Sequence, residues 1–295
     1  MYNVENNSKD EDINNKDNKI DQQYNIDIND IINIAKNSGK ILLKYYGKNI
    51  ETKNKGSSGY NPVSIADIES NKNICEHLKK YGYQILSEES ENKDLDLSKP
   101  TWIVDPLDGT IGFLKKSEEF CIMIGLSVNG KIVLGVVYAP IYDKVYYAEN
   151  GKGAWLIDKG IKKKITVSNV KELRNACRSV RPFAKPNFLD VIMDSKLKCR
   201  KKILGSLGLR ICSVAEGKTD FYINNSSTPS KWDTAAPTII LEEAGGKITD
   251  FKNNPLNYLK SGLQWDESFI VSNGFLHEQI LKEIPKDALN LMNLR

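Results

Sequence analysis

Two aspartates, three residues apart, lie at the end of an apolar segment of this chain. The segment is Trp102-Ile-Val-Asp-Pro-Leu-Asp-Gly-Thr110, and its first three residues predict a buried strand. A proline cannot donate to a strand ladder, so we expect the strand to stop there and to leave Asp105 and Asp108 facing one point. Gly109 and Thr110 are expected to begin a helix, whose free N–H groups attract an anion. Carboxylates for a hard cation beside an anion site are what metal-assisted hydrolysis of a phosphate ester requires.

Two further carboxylates have a similar placement. Glu88 follows a short strand predicted at residues 83–86, and Asp233 lies in Trp232-Asp-Thr-Ala-Ala-Pro-Thr238, at the expected start of a helix. If the four carboxylates converge, they supply oxygen ligands for two or three Mg²⁺ ions. The chain has only two histidines, far apart in sequence, which argues against a zinc site and against a Ser-His-Asp triad. A hydrolase built on these residues would activate water with metal and carboxylate alone.

Each of these motifs also has a purely structural interpretation. An aspartate ahead of a helix is more often a cap than a ligand, and Asp-Pro-Leu-Asp-Gly alone is compatible with a turn. Asp67 would stabilise the first turn of its helix without any chemistry, and a solvated charge explains Glu89 as well as ligation does. The joint occurrence of Ser87-Glu-Glu89, the segment around Asp105 and the Trp232-Asp233 pair favours the chemical interpretation.

Apolar periodicity predicts a mixed α/β protein whose motifs lie at the ends of its elements. The predicted helices cover residues 28–46, 65–80, 188–194, 207–216 and 234–244. The predicted strands cover residues 83–86, 102–104, 120–128, 131–138, 145–148, 154–157, 176–180, 221–223 and 247–249, and Asn129-Gly130 predicts a hairpin.

The chain is expected to divide into a tail and two halves. Residues 1–25 are rich in Asn, Asp and Lys and predict a disordered tail. Residues 26–168 form the expected N-terminal half, with most of the metal ligands. Residues 169–295 form the expected C-terminal half, with Asp233 and the residues that select the substrate.

The length, composition and charge of the chain argue against several classes of partner and location. With 295 residues, 40% of them hydrophobic, the chain can bury a proper core, and its net charge of +4 is too small to indicate a nucleic-acid partner. Five scattered cysteines without a Cys-x-x-Cys pair predict reduced thiols in a cytoplasmic protein. No apolar segment approaches about 18 residues, and the start is not basic and then apolar, so we expect neither a membrane partner nor a signal peptide. Both a monomer and a homodimer are compatible with the sequence.

The Ser-Glu-Glu, Asp-Pro-Leu-Asp-Gly-Thr and Trp-Asp-Thr-Ala-Ala-Pro motifs together resemble the lithium-sensitive, Mg²⁺-dependent phosphomonoesterase superfamily of inositol monophosphatase and 3′(2′),5′-bisphosphate nucleotidase. The resemblance covers nearly the whole chain after the tail. It implies the five-layer α/β/α/β/α sandwich of the inositol monophosphatase and fructose-1,6-bisphosphatase type. It implies one Mg²⁺ held by Glu88, Asp105 and the main-chain carbonyl of Leu107. A second ion would be held by Asp105, Asp108 and Asp233.

The same resemblance implies roles in the reaction. The substrate phosphate would lie over the metals and on the N–H groups of Gly109 and Thr110. A water on the first metal would attack the phosphorus in line, helped by Thr110 and Asp67, while the second ion stabilises the leaving oxygen. A third, looser ion would contact Glu88 through waters near Asp67. The expected catalytic residues are therefore Asp67, Glu88 and Thr110.

The choice of substrate rests on weaker resemblances. The bisphosphate nucleotidases are indicated by five segments, at residues 112–120, 131–140, 214–217, 232–236 and 255–258. They imply hydrolysis of the 3′-phosphate of adenosine 3′,5′-bisphosphate to AMP and phosphate, with the sulphated nucleotide as a second substrate. Inositol phosphates are the alternative, which is weakened because inositol phosphatases usually carry a glutamate where this chain has Asn224 and Asn225. A catalytically inactive, anion-binding regulatory protein is the alternative from another class.

Contacts to the substrate are expected from both halves of the chain. The residues expected to bind it are Asp108, Gly109, Thr110, Gly205, Ser206, Arg210 and Asp233. A second phosphate requires a further cationic site, for which the candidates are Arg178, Arg181, Arg210 and the basic run at residues 196–202. Such a run is more often a solvated face than a binding site.

Overall fold

Two layered β-sheets, with helices between and outside them, form most of the architecture of the described residues. The computed structural model describes residues 24, 26–54, 62–92, 94–182, 194–224 and 229–285. Its helices are α1 (Ile28–Tyr45), α2 (Ile65–Leu78), α3 (Thr110–Leu114), α4 (Leu207–Ala215), α5 (Lys231–Glu243) and α6 (His277–Glu283). No helix in these ranges has the length and apolarity that a membrane span requires.

The strands are short in the C-terminal part of the chain and longer in the middle. They are β1 (Thr52–Asn54), β2 (Pro62–Ser64), β3 (Gln84–Ser87), β4 (Thr101–Asp108), β5 (Cys121–Val128), β6 (Lys131–Ala139), β7 (Lys144–Glu149), β8 (Ala154–Asp158), β9 (Ile161–Ile165), β10 (Cys177–Val180), β11 (Arg200–Ile203), β12 (Phe221–Asn224), β13 (Lys247–Asp250) and β14 (Phe269–Ser272). β1 and β2 form a small antiparallel pair.

The larger sheet has seven strands in the order β3-β4-β5-β6-β7-β8-β9. β3 and β4 run parallel, and the later neighbours are antiparallel. Nearly all residues of β5 and β6 are buried, because helices cover this sheet on both faces. The predicted hairpin joins β5 to β6, and both Asn129 and Gly130 have the positive φ that a two-residue turn requires.

β4 does not stop at Pro106, so this part of the prediction was wrong. The strand continues to Asp108, and its pairing with β5 changes register between Asp105 and Asp108. A bulge of this kind tolerates a proline, since the residues inside it make no regular ladder bonds. The carbonyl of Pro106 instead accepts a hydrogen bond from the hydroxyl of Ser70 in α2, at 2.8 Å. The two aspartates therefore lie at the two ends of a bulge within one strand.

The smaller sheet has five strands in the order β11-β10-β12-β14-β13. β11, β10 and β12 run parallel, whereas β14 is antiparallel to both β12 and β13. The carboxyl ends of the three parallel strands therefore share one edge. In open α/β sheets such an edge is the usual position of a ligand site.

Three apolar cores show the order of the layers. α1 and α2 cover one face of the larger sheet, where Trp102 and Val104 of β4 are buried. α4 and α5 fill the space between the sheets with Ile211 and Ile240. α6 covers the outer face of the smaller sheet, against Phe221. This order confirms the predicted five-layer α/β/α/β/α sandwich.

Most predicted elements are present with ends shifted by a few residues, but several were missed. The sequence did not predict the β1–β2 pair, β9, β11, β14 or α6. β9 contains three consecutive lysines and lacks the alternation that marks a half-buried strand. The helix predicted at residues 188–194 lies outside the described residues except for Asp194. The predicted tail also lies outside them, apart from Tyr24, whose ring packs edge-on against Tyr83.

A pair of glycines lets α5 lie close to the larger sheet. Gly125 of β5 and Gly135 of β6 are register partners. A Cβ on Gly135 would lie 2.3 Å from the carbonyl oxygen of Ala236, and a Cβ on Gly125 would lie 3.0 Å from its nitrogen. Because α5 begins with Asp233 in its first turn, this close approach fixes where that carboxylate lies relative to β4.

Gly135→Ala is expected to lower the free energy of unfolding by about 1–3 kcal/mol, because the new methyl must displace the main chain of α5. Urea unfolding followed by circular dichroism measures the change. Gly112→Ala is the matched control, since its Cβ would lie 3.5 Å from the nearest atom, Cβ of Ser117. The control should be as stable as the wild type or slightly more stable. Equal losses in the two variants would contradict the argument from close approach.

Candidate active site

Asp105 lies buried at the first end of the bulge in β4. Its Oδ1 accepts the main-chain N–H of Leu107 at 2.9 Å, a local bond that closes the bulge. The carbonyl of Leu107, a predicted metal ligand, accepts the hydroxyl of Thr110 at 3.1 Å. The sequence of the bulge therefore positions a carboxylate and a carbonyl within one turn of chain.

Asp108, at the other end of the bulge, is held by the C-terminal half of the chain. Its Oδ2 accepts the main-chain N–H of Gly208, in the first turn of α4, at 2.6 Å. The thiol of Cys121 lies 3.6 Å from the same oxygen. A Cβ on Gly208 would lie 2.5 Å from Sδ of Met123 and 3.2 Å from Oδ2 of Asp108, so a glycine is needed for this contact. The N-terminus of α4 thus faces a carboxylate, which its dipole favours.

Asp233 lies in the first turn of α5 and accepts the main-chain N–H of Ser230. The start of this helix is anchored by Lys231, whose buried ammonium donates to the carbonyls of Tyr258, at 3.1 Å, and Lys260. Burial lowers the pKa of Lys231 to about 8. Asp233 is therefore fixed both by its own helix and by the segment that packs beside it.

The three aspartates meet in space. Asp105, Asp108 and Asp233 each offer a carboxylate oxygen, and these oxygens lie within 4.8 Å of one another. Mg²⁺ binds oxygen at about 2.1 Å in an octahedron, so ligands on opposite sides of one ion are about 4.2 Å apart. The spacing of the cluster therefore fits a hard divalent cation. Burial, followed by the charges of the neighbouring carboxylates, raises the pKa of Asp105 and of Asp233 well above the usual range.

Glu88 lies next to this cluster. It follows β3, is half-buried, and donates its main-chain N–H to the carbonyl of Val104 at 3.2 Å. Its charge contributes to the raised pKa of both Asp105 and Asp233. The carboxylate of Glu88 is not one of the three that converge within 4.8 Å, so its place is at the side of the cluster. Glu89 is half-buried, and its carbonyl accepts the amide of Asn71 at 3.3 Å.

Asp67 and Thr110 form a direct pair. The hydroxyl of Thr110 lies 3.0 Å from Oδ1 of Asp67, across 43 positions of sequence. Oδ2 of Asp67 accepts both the main-chain N–H of Ser64, at 2.8 Å, and its hydroxyl, at 2.6 Å. The capping of α2 therefore also orients the carboxylate towards Thr110.

Gly109 allows the chain to turn from β4 into α3. Its φ of +94° lies in the left-handed region, and a Cβ there would lie 3.1 Å from the carbonyl oxygen of Glu119 and 3.4 Å from Cβ of Ser206. The two halves of the chain are thus in contact at the predicted phosphate site.

The predicted substrate contacts of the C-terminal half have internal partners. The N–H of Gly205 donates to Oε2 of Glu119 at 2.7 Å, and its carbonyl accepts Arg210 at 3.1 Å. Ser206 is buried, caps α4 by accepting the N–H of Leu209, and contacts Sγ of Cys121 at 3.2 Å. Arg210 also donates to the carbonyl of Leu204 and stacks over the ring of Tyr222, 4.8 Å from its centroid. These three residues therefore support the site through hydrogen bonds and contacts within the protein.

Sequence reasoning missed two residues that hold the cluster, Gly208 and Cys121. Gly208 reaches Asp108 through the approach of α4 to β4, whereas Cys121 is the register partner of Asp108 on β5, and no local signal marks either one. A signal was available for the other carboxylates. Ser64-x-x-Asp67 and Ser230-x-x-Asp233 share the spacing of a capping box, in which the acidic residue accepts the N–H of the serine. The repeated pattern places each aspartate at the start of a helix.

Comparisons with known proteins identify relatives over most of the chain. The profile of the Inositol monophosphatase family matches residues 24–288. The fructose-1,6-bisphosphatase/inositol-1-monophosphatase of Thermotoga maritima is 31% identical over 258 residues, which are 86% of this chain and 93% of that protein. The 3′(2′),5′-bisphosphate nucleotidase CysQ of Aggregatibacter actinomycetemcomitans is 32% identical over 268 residues, 89% of this chain and 96% of that protein.

A solved structure shows the same fold. The extragenic suppressor protein suhB of Bartonella henselae superposes with a TM-score of 0.75 at 29% identity. The match covers 88% of this chain and 98% of that one.

Asp105→Asn is expected to remove most of the thermal stabilisation that Mg²⁺ gives the wild-type protein, because one of three convergent charges is lost. The asparagine oxygen can still accept the N–H of Leu107, so the bulge should persist. Without metal the variant should be as stable as the wild type or more stable, since repulsion among buried carboxylates is relieved. Thermal unfolding with Mg²⁺ and with a chelator measures both effects.

Asp96→Asn is the matched control for this experiment. Asp96 also accepts a main-chain N–H two residues ahead, that of Ser98 at 3.1 Å, but it is exposed and is not one of the three carboxylates of the cluster. It should keep the full response to Mg²⁺. A wild-type response in Asp105→Asn would remove Asp105 from the set of ligands.

Proposed function

We propose, since this chain belongs to the inositol monophosphatase family of metal-dependent phosphatases, that it hydrolyses the 3′-phosphate of adenosine 3′,5′-bisphosphate to give AMP and phosphate. The observation that carries the class of reaction is the convergence of Asp105, Asp108 and Asp233 from two halves of the chain. Buried carboxylates repel one another, and the charge of Arg210 does not offset this at Asp233, whose pKa stays raised, so the cluster is best explained by cations. The sulphated nucleotide with the same 3′-phosphate is proposed as a second substrate.

We propose Mg²⁺ as the ion, bound by oxygen ligands alone. One ion would be held by Glu88, Asp105 and the carbonyl of Leu107, and another by Asp105, Asp108 and Asp233. A third, looser ion would lie near Glu88. A divalent cation bound here would offset the charge of the phosphate and lower the pKa of a water. Each aspartate of the cluster gives one oxygen to a main-chain N–H, which leaves its other oxygen for the metal.

The pair of Thr110 and Asp67 supplies the proton acceptor in this proposal. The hydroxyl of Thr110 lies within hydrogen-bond distance of Oδ1 of Asp67, at 3.0 Å, and of the carbonyl of Leu107, at 3.1 Å. In this proposal its one proton is donated to Asp67, and the lone pairs of the hydroxyl accept a proton from water. As the water oxygen bonds to phosphorus, its proton passes to Oγ1 of Thr110, whose own proton passes to Asp67. The bond between phosphorus and the 3′-oxygen of the ribose breaks, and that oxygen takes up a proton from solvent. The N–H groups of Gly109 and Thr110 are proposed to bind the phosphate oxygens.

Two observations support a nucleotide bisphosphate over an inositol phosphate. The relatives include a protein named as a 3′(2′),5′-bisphosphate nucleotidase at 32% identity. At the end of β12, Asn224 offers a neutral amide, whose Oδ1 accepts the hydroxyl of Tyr222 at 3.3 Å. The guanidinium of Arg210 lies over the same tyrosine. This end of β12 therefore combines a cation with a neutral side chain, which suits a substrate with two phosphates.

The substrate is tested by release of phosphate from adenosine 3′,5′-bisphosphate and from inositol 1-phosphate, each with Mg²⁺. We expect the larger kcat/KM for the bisphosphate. A larger value for inositol phosphate would favour the alternative that relatives named as inositol-1-monophosphatase suggest. Release from neither compound would favour an inactive, anion-binding protein.

Thr110→Val is expected to lower kcat about a hundredfold or more, because the valine has no hydroxyl to take the proton of water. Its response to Mg²⁺ in thermal unfolding should stay intact, since no metal ligand has changed. Thr110→Ser keeps the hydroxyl and should stay within about tenfold of the wild type. Wild-type turnover in Thr110→Val would show that the Thr110–Asp67 pair does not carry the proton.

A further inference from the structure

Of the cations that the sequence offered for a second phosphate, four have partners in the protein: Arg178, Lys196, Lys201 and Arg210. Lys198, Arg200 and Lys202 make no ion pair with a described residue, and they lie before the end of β11 or within it. Arg178 is buried and donates to Asp194, and Lys201 pairs with the same carboxylate. Lys196 lies 3.8 Å from a carboxylate oxygen of Glu283. These groups are occupied by partners, so they offer little to a ligand.

Arg210 also has partners within the protein. It donates to the carbonyls of Leu204 and Gly205, both at 3.1 Å, and its guanidinium stacks on Tyr222. The side chain is buried, so its charge acts on the electrostatic potential of the site more than through direct hydrogen bonds to an exposed phosphate.

Arg181 differs from these four paired cations. It is exposed, and it makes no ion pair or hydrogen bond with any residue that the structure describes. It directly follows Val180, the last residue of β10, and so lies at the edge where the three parallel strands end. A guanidinium at this edge is both accessible and uncommitted.

The alternation of side chains along β10 places position 181 on the face towards the site. Arg178 pairs with Phe221, whose side chain is in the outer core with α6. The next residue of β12, Tyr222, is in the inner core between the sheets, where α4 packs. By the same alternation, positions 179 and 181 lie on the inner face, with Tyr222 and α4.

A short path of contacts leads from Arg181 to the acidic cluster. The carbonyl of Val180 accepts the N–H of Leu204 at 3.0 Å, so Arg181 lies beside the Gly205 segment on the next strand. Neighbouring strands are about 4.8 Å apart. Cβ of Ser206 in turn lies close to Gly109, and the N–H of Gly208 reaches Asp108. The segment from Gly205 to Gly208 thus separates the guanidinium from the cluster.

We propose that Arg181 binds the phosphate that is not hydrolysed and so selects nucleotide bisphosphates over monophosphates. This inference rests on the proposed function and adds a residue that determines specificity. A guanidinium can form two parallel hydrogen bonds with a phosphate, which gives it an advantage over a lysine at such a position.

The test compares two substrates that differ only in the second phosphate, adenosine 3′,5′-bisphosphate and adenosine 3′-monophosphate. Arg181→Gln should lower kcat/KM for the bisphosphate by about tenfold to a hundredfold, mainly through KM. The value for the monophosphate should stay within about twofold, because it has no group for Arg181 to bind. Arg181→Lys should recover part of the loss for the bisphosphate only.

Lys202→Gln is the control for a general change in charge. Lys202 is exposed and pairs with Ser179, so it lies on the same face but two residues back from position 181 along the strands. Two residues of strand are about 6.6 Å. The control should change both substrates by less than about twofold.

Equal losses for the two substrates, or none for the bisphosphate, would overturn the role of Arg181 while leaving the proposed function in place. A wild-type enzyme that releases no phosphate from the bisphosphate would overturn both, and this result appears before any variant is made. A loss of the same size in Lys202→Gln would show a diffuse electrostatic effect and would also overturn the assignment.

Discussion

Repulsion among three carboxylates in one small, largely buried volume is the constraint on which the rest of the structure depends. The fold holds Asp105, Asp108 and Asp233 together by giving each one a main-chain N–H, from Leu107, Gly208 and Ser230. A main-chain donor compensates part of the charge without filling the space where a cation would lie. Each donor comes from a different kind of local structure, respectively a strand bulge, a helix N-terminus and a capping box.

The layered architecture makes this convergence possible across the sequence. β4 supplies two aspartates from the larger sheet, and the middle layer of helices supplies the third together with the N–H of Gly208. The glycine pair under α5 allows that layer to lie against the sheet. A change in the distance between the layers would therefore alter the geometry of the cluster even though no ligand had changed.

The motifs with local chemistry were predictable from the sequence, and the contacts between distant segments were not. The helix starts near Asp67 and Asp233 follow from capping and periodicity. The bulge in β4 was missed because a proline ordinarily ends a strand, and only pairing with β5 shows how it is tolerated. Gly208 gave no signal, since its N–H acts on a residue 100 positions away. The occupied state of Arg178 and Arg210 likewise depends on tertiary partners.

The lysine-rich strand β9, which periodicity failed to predict, affects whether two copies of this protein can associate through the edges of their sheets. β9 closes one side of the larger sheet and β11 one side of the smaller sheet. Between them they carry Lys162, Lys163, Lys164, Arg200, Lys201 and Lys202. A second copy that tried to extend either sheet there would bring like charges together and would have to desolvate them. Self-association through these two strands is therefore disfavoured. The positive side chains on the two edge strands oppose the addition of further strands to either sheet.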